Sequence, residues 1–213
     1  MIPPPERLPE RDAAIEAMLP HVPFDGWSRR ALLQGLRDAG MPLDEADLLF
    51  PGGPAGMVAV FCDLADRRMA EHAVTETRIS ARVRALIAGR LEDAGPHREA
   101  VRRALAVLAL PGNARTAAAC AGRTIDTIWY LAGDRSADFS WYTKRALLTG
   151  VYGATLLFWL RDTSEDQRET LAFLDRRLAG IGQIGSVRRR AETLLNRFRS
   201  PFTPRGTSRE TPA

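Results

Sequence analysis

The chain has 213 residues, 45% hydrophobic and 26% charged, long enough to bury a sizeable core without a metal or disulfide staple. Its two cysteines, Cys62 and Cys120, stand 58 positions apart with no CxxC, which excludes a zinc module and a disulfide framework. Residues 184–213 hold seven arginines against two glutamates, a local +5, while residues 1–183 sum to −1, so the pI near 9.7 describes a tail rather than a basic domain.

The longest uncharged stretch of the second half, Ala146 to Leu160, has 15 residues, short of the roughly 18 to 20 that cross a bilayer. The start, MIPPPERLPERD, shows no apolar signal core and no Arg/Ser-rich amphipathic stretch. The expectation is a soluble protein of a reducing compartment without signal or transit peptide.

Nearly every periodic segment reads as helix, and no sustained apolar/polar alternation suggests a strand. Residues 1–11 and 201–213 read as disordered tails. Asp12 to His21 predicts a short helix with Ala14, Ile15, Met18 and Leu19 on one face, and Phe24-Asp25-Gly26-Trp27 a turn. Ser28 is a suitable N-cap for a second helix through Ala39, closed by Gly40 and Pro42. Leu43 to Phe50 predicts a third, closed by Pro51-Gly52-Gly53-Pro54. Residues 12–54 therefore resemble a helix-turn-helix head.

Residues 55–183 form the expected body. Helices are predicted over Gly56–Ala73, Arg78–Asp93, Arg98–Leu110 and Thr116–Leu131, with Gly133–Ser140 a polar loop. Trp141 to Leu160 is so apolar that it is expected in the centre of a bundle. Ser164 with Gln167 reads as a capping box for a helix to about Leu178. Gly180, Gly182 and Gly185 predict a hinge before a last helix over residues 184–200.

Catalytic and cofactor chemistry is not written in the chain. His21, His72 and His97 fall in different elements, and HExxH, ExxH and EF-hand patterns are missing, so no metal is expected. PGGPAG at 51–56 lacks the Lys-Ser/Thr and the preceding strand of a phosphate loop. There is no GxSxG and no Cys/His pair in a nucleophilic context. Cys62 and Cys120 read as small core residues. The expectation is a non-enzyme without cofactor.

An all-helical body behind such a head suggests a TetR-type regulator with an apolar effector. A DNA reader presents Arg, Lys, Asn or Gln to phosphates and base edges. Here the recognition position reads LDEADLLF, and residues 24–51 hold three arginines against five acids. Those carboxylates would repel phosphate, so no nucleic acid is expected as partner.

Six of the seven Trp and Tyr residues lie between 129 and 159. Tyr152 and Trp159 fit a core. Trp129-Tyr130 and Trp141-Tyr142 are adjacent pairs, and neighbours on a helix point about 100° apart. One member of each should reach the surface beside GDRSADFS, in the company of Asp134, Asp138, Lys144 and Arg145, a composition suited to an interface.

WYLAGDRSADFSWYTKRALL, supported by FDGWSRRALLQGLRDAG and DLLFPGGPAGMV in the head, resembles the coenzyme Q biosynthesis protein nine family over roughly Ala13 to Leu178. The resemblance implies an all-α, TetR-like helical fold with a degenerate helix-turn-helix head, a helical bundle body and a C-terminal amphipathic helix. It implies a lipid-binding accessory protein of ubiquinone synthesis that takes an isoprenoid quinone precursor or phospholipid. It also implies docking to the diiron demethoxyubiquinone hydroxylase, through Ile128, Trp129, Tyr130, Asp138, Trp141, Tyr142 and Arg145. Tyr130 departs from the family's common His, and the missing transit peptide points to a bacterial member. Its expected place is the cytoplasmic face of the inner membrane.

A TetR-like ligand chamber would be lined by Ile125, Ile128, Leu148, Val151, Tyr152, Thr155 and Leu156, with Gly150 and Gly153 making room for the ligand or a close helix. The last body helices are candidates for a homodimer contact. In the tail, Val187, Ala191, Leu194, Leu195 and Phe198 form one apolar stripe, flanked by Arg188, Arg189, Arg190, Arg197 and Arg199. Basic and apolar faces together fit an interfacial membrane helix.

Overall fold

Pro9 begins the first helix earlier than expected, because a proline in the first turn forfeits only an N–H that has no helical partner. In a computed structural model, which describes residues 4–72, 74–134 and 140–180 apart from the side chains of residues 140 and 141, α1 runs Pro9–Met18. Glu10 and Asp12 sit in its first turn, where carboxylates favour the helix dipole. The expected turn at Phe24 is instead a one-turn helix, α2 (Val22–Asp25), stopped by Gly26 at φ +70°. Helix α3 (Arg29–Asp38) opens as expected, with the Ser28 hydroxyl accepting from the Ala31 N–H at 3.2 Å. The third head helix shrinks to α4 (Ala46–Leu49). Phe50 precedes Pro51 and leaves the helical region at φ −133°, as residues before proline tend to do.

The body follows with α5 (Gly53–Glu71), α6 (Ile79–Asp93), α7 (Arg98–Leu108), α8 (Ala114–Leu131), α9 (Ser140–Trp159) and α10 (168–180). Helix α5 starts three residues before its expected beginning, with Pro54 in its first turn. Short 3-10 turns at Gly95–His97 and Pro111–Asn113 separate α6, α7 and α8. All regular structure among the described residues is helical.

Two cores result. Ile15, Met18, Leu32, Leu36 and Val58 lie in the head core, where α1 and α3 approach closely. A Cβ on Gly35 would stand 2.6 Å from the Met18 backbone nitrogen, so only glycine fits that crossing. Trp27 ties head to body, donating from Nε1 to the Ala100 carbonyl at 3.0 Å and packing 5.1 Å from the Phe61 ring. Helix α5 serves both cores: Met69 near its end packs with Leu86 and Ile87 of α6, Ile125 and Ile128 of α8, and Leu148 and Trp159 of α9.

Two expectations change here. Helix α9 is not enclosed: Leu148, Val151, Thr155 and Trp159 are buried, whereas Tyr142, Ala146, Gly150 and Leu157 are exposed. An apolar helix buries all sides only when neighbours surround it, and among the described residues α9 has them on one side. The capping box is replaced as well. Gln167 adopts φ +55° in a 3-10 turn, and α10 begins after it. Asp162 organises that start, accepting from the N–H groups of Ser164 and Thr170 at 2.8 Å each and from the Thr170 hydroxyl at 2.5 Å. The Ser164 hydroxyl accepts from the Glu169 N–H at 3.1 Å.

Candidate functional site

The ends of α8 and α9 carry the aromatic pairs. Helical rotation separates Trp129 from Tyr130: Trp129 packs against the body core, while Tyr130 is 82% exposed. Tyr142 is 72% exposed. The Lys144 ammonium lies 6.0 Å from the Trp129 ring centre and 3.4 Å from both Asp134 carboxylate oxygens. Arg145 reaches Asp126 on α8 at 2.5 Å. Tyr130 and Tyr142 are thus exposed near the end of α8 and the start of α9, where Lys144 and Arg145 are held in ion pairs with acids from α8 and the segment after it. Ile128 does not join them, because its side chain is wholly buried. Asp138 and the side chain of Trp141 lie outside the described residues.

The residues expected to line a ligand chamber divide into two groups. Ile125, Ile128, Leu148, Val151 and Thr155 are packed in the body core, and the Thr155 hydroxyl is returned to the Val151 carbonyl at 2.8 Å. Of the seven expected lining residues, Tyr152 and Leu156 border a partly open cavity of about 90 Å³ between α5, α6, α7 and α9. Phe61, Leu91, Val101 and Leu105 give it an apolar wall, and Arg90 a charged one. Ligand pockets typically measure about 300–1,000 Å³, so a prenylated ring enters only if these helices part. Gly150 and Gly153 face open space, with nothing within 4 Å of a Cβ at either. Neither makes room for a close helix among the described residues.

Beside the cavity lies a buried polar cluster. The Arg90 guanidinium is 2.7 Å from Asp66 Oδ1, and its Nε donates to the Tyr152 hydroxyl at 2.9 Å. The Thr124 hydroxyl donates to the same Asp66 oxygen at 2.9 Å. Burial pushes the Asp66 carboxyl above its ordinary range, although Arg90 and Thr124 pull it down. Burial likewise raises the Tyr152 phenol against the pull of Arg90. A hydrogen bond with Cys120, reinforced by burial, raises the Cys62 thiol. Buried ion pairs gain little net stability, since desolvation offsets attraction, but losing one partner is expensive. Neither Arg90 nor Asp66 is among the residues singled out from the sequence. The missed signal was register: Arg90 sits three and four positions after Ile87 and Leu86, on the apolar stripe of α6.

On its other side the cluster borders an open groove of about 600 Å³ between α5 and α8, which Tyr130 also lines. In the head, charged side chains pair at the surface. Arg29 forms a two-point pair with Asp47 at 2.9 and 3.0 Å, so one of its three arginines is neutralised by the acidic α4. No single helix among the described residues is long and apolar enough to cross a membrane.

These features belong to a TetR-like helical fold. A TetR transcriptional regulator from Nitrosomonas europaea superposes with a TM-score of 0.64 and 26% identity, over 81% of this chain and 97% of that one. A COQ9 family profile matches residues 114–185, the segment that holds α8, α9 and α10. The ubiquinone biosynthesis protein coq9, mitochondrial, of Schizosaccharomyces pombe is 33% identical over 82% of this chain and 70% of its own. Its Drosophila melanogaster counterpart, also named mitochondrial, is 31% identical over 90% of this chain. The chain belongs to the COQ9 family, and neither that family nor the structural neighbour is an enzyme. It spans about three fifths of the length of the fly and Xenopus relatives.

Proposed function

We propose that the chain is a lipid-binding accessory protein of ubiquinone biosynthesis. It holds an isoprenoid quinone precursor or phospholipid at a membrane surface and presents it to the diiron demethoxyubiquinone hydroxylase. The observation that carries the reading is membership in COQ9, with the profile match falling on the helices that bear Tyr130 and Tyr142. Exposed tyrosines beside paired charges supply large contact area at low entropic cost, as interface anchors do. Tyr152 and Leu156 contribute to the ligand's apolar surroundings.

Three further parts of the proposal concern assembly. The exposed, small-residue face of α9 packs against a second copy to give a homodimer. Residues Val187, Arg188, Arg190, Leu194, Leu195, Arg197 and Phe198, which lie outside the described residues, attach the protein to an anionic membrane through charge and apolar burial together. That membrane is the cytoplasmic face of a bacterial inner membrane. Acidic α4, with Asp47 already bound to Arg29, speaks against use of the head on DNA.

The test is organic extraction of the purified full chain followed by mass spectrometry, with capture of the hydroxylase measured in parallel. Co-purified isoprenoid lipid or phospholipid and retained hydroxylase are expected. A lipid-free protein that ignores the hydroxylase would remove the proposal.

A further inference from the structure

We infer that Cys62 and Cys120 form a redox modification site, a dithiol between α5 and α8 that hydrogen peroxide, or a hydroperoxide of similar size, closes reversibly to a disulfide. This goes beyond the accessory role and does not depend on it.

Helix register brings the two sulfurs together. Thr124 of α8 donates to Asp66 of α5 at 2.9 Å, across an offset of 58 positions. One turn earlier on both helices, at the same offset, stand Cys62 and Cys120, so the two helices run side by side in one direction. The Cys62 thiol donates to the Cys120 sulfur, which also accepts from Arg123 Nη2 at 3.4 Å. A disulfide needs its sulfurs about 2 Å apart, so thiols already in hydrogen-bond contact have little further to move.

The surroundings are those of reactive thiols. Cysteines that serve only as small core residues sit among apolar side chains and are inert, whereas these two stand beside Arg90, Asp66 and Arg123. The hydrogen bond from Cys62 draws the Cys120 thiol below its ordinary range, burial opposes it, and Arg123 adds to the pull. Access comes through Cys62, which is half-buried and borders the partly open cavity, while Cys120 is buried. At about 90 Å³ that cavity has room for a molecule of peroxide's size. Peroxide therefore meets Cys62 first. The Cys62 proton passes to Cys120 along their hydrogen bond, and the Cys62 sulfur attacks one peroxide oxygen. The O–O bond breaks, and the departing hydroxide takes that proton from Cys120 and leaves as water. The Cys120 thiolate then attacks the Cys62 sulfenic acid: the S–S bond forms, the S–O bond breaks, and solvent protonates the second hydroxide. The sulfurs lose two electrons, and one peroxide becomes two waters. Thiol exchange reopens the bond.

The test treats the reduced full chain with hydrogen peroxide, quenches with catalase, denatures in urea with N-ethylmaleimide and reads the peptides by mass spectrometry. A peptide pair joined through Cys62 and Cys120 is expected, with both thiols recovered after dithiothreitol. Joining residues 58 positions apart should also raise the urea midpoint of the oxidised chain above that of the reduced one. Cys120→Ser should stop at a Cys62 sulfenic acid that dimedone traps. Arg123→Met should slow closure several-fold at neutral pH and approach the wild-type rate as pH rises, because the Cys120 thiolate fraction recovers. Leu105→Phe or Leu156→Phe, each narrowing the cavity, should slow the first step. Wild-type protein that keeps both thiols, that stops at sulfinic acid, or that joins Cys62 to a second copy of the chain would overturn the inference. Dimedone labelling of Cys120 in Cys62→Ser at the wild-type rate would do the same, since the oxidant would then not enter by the cavity.

Discussion

The head and the body of this protein settle their polar groups differently. In the head, Ile15, Met18, Leu32 and Leu36 form an apolar interior, and the polar atoms named here end in short, exposed pairs such as His21 with Asp38 and Arg29 with Asp47. In the body a charged pair is buried, and the indole nitrogens of Trp129 and Trp159 and one Asp66 oxygen lack partners among the described residues. One face of α9 is apolar and open besides. The head has one unmatched atom among the described residues, Arg11 Nε at the start of α1. Unmatched groups cost stability, so the body is where the chain keeps room for other molecules.

The sharpest way to break this contrast is to remove charge from one region and space from the other. Arg90→Ala leaves Asp66 charged and buried and should destabilise the protein by about 3–5 kcal/mol, while Arg90→Met with Asp66→Leu should recover most of that loss. Urea midpoints of the three proteins measure both effects. If Arg90→Ala unfolds at the wild-type midpoint, the pair is not a buried ion pair in solution. The head should instead be sensitive to volume. Gly35→Ala brings a methyl to 2.6 Å from the Met18 backbone and should cost about 1–3 kcal/mol by overpacking, read from the same titration.

The head was the more legible region in the sequence. Its helices are short and bounded by Ser28, Gly40 and Pro51, and local signals of that kind act within a few residues. Errors there were small, as where Pro9 began α1 early and Phe50 cut α4 short. The body depended on partners far along the chain. Apolar composition placed α9 at a bundle centre, but composition carries no information on how many neighbours a helix has. Ile125, Ile128 and Leu148, expected as chamber lining, pack in the body core, and apolar core and apolar cavity look alike in sequence. Adjacent Trp129 and Tyr130 were separable by helical rotation, whereas the meeting of Asp66, Arg90, Thr124 and Tyr152 from four helices left only a register clue at Arg90.

A smaller effect tests whether the start of α10 behaves like the settled head. Burial opposes ionisation of Asp162, yet the hydrogen bonds from Ser164 and Thr170 outweigh it and hold the carboxyl well below the usual range. Its folded pKa is therefore lower than the unfolded one, which is about 3.9. The contribution is complete above the unfolded value and is lost as pH falls through the folded one. Asp162→Asn should cost about 0.5–2 kcal/mol at neutral pH, as loss of a helix cap does, and should flatten the decline of melting temperature between pH 5 and pH 3 seen in the wild type. An unchanged acid limb would show that Asp162 is not the group responsible.

The smallest expected effect on stability carries the most information about the open surface. Tyr130 and Tyr142 project from α8 and α9 with most of their surface exposed, so Tyr130→Ala with Tyr142→Ala should shift unfolding by no more than about 0.5 kcal/mol. Capture of the hydroxylase should nevertheless weaken by about 2 kcal/mol if the pair anchors the contact. Trp129→Ala is the necessary companion. Its ring packs on the body core beneath Lys144, so this substitution should lower stability and capture together and would not by itself separate docking from folding. Thermal melts and pull-downs on the same preparations distinguish the two behaviours. A folded double tyrosine variant that captures the hydroxylase as well as the wild type would show that these rings are not the docking surface, and that the open face of the body serves another contact, the second copy of the chain along α9 being the first to examine.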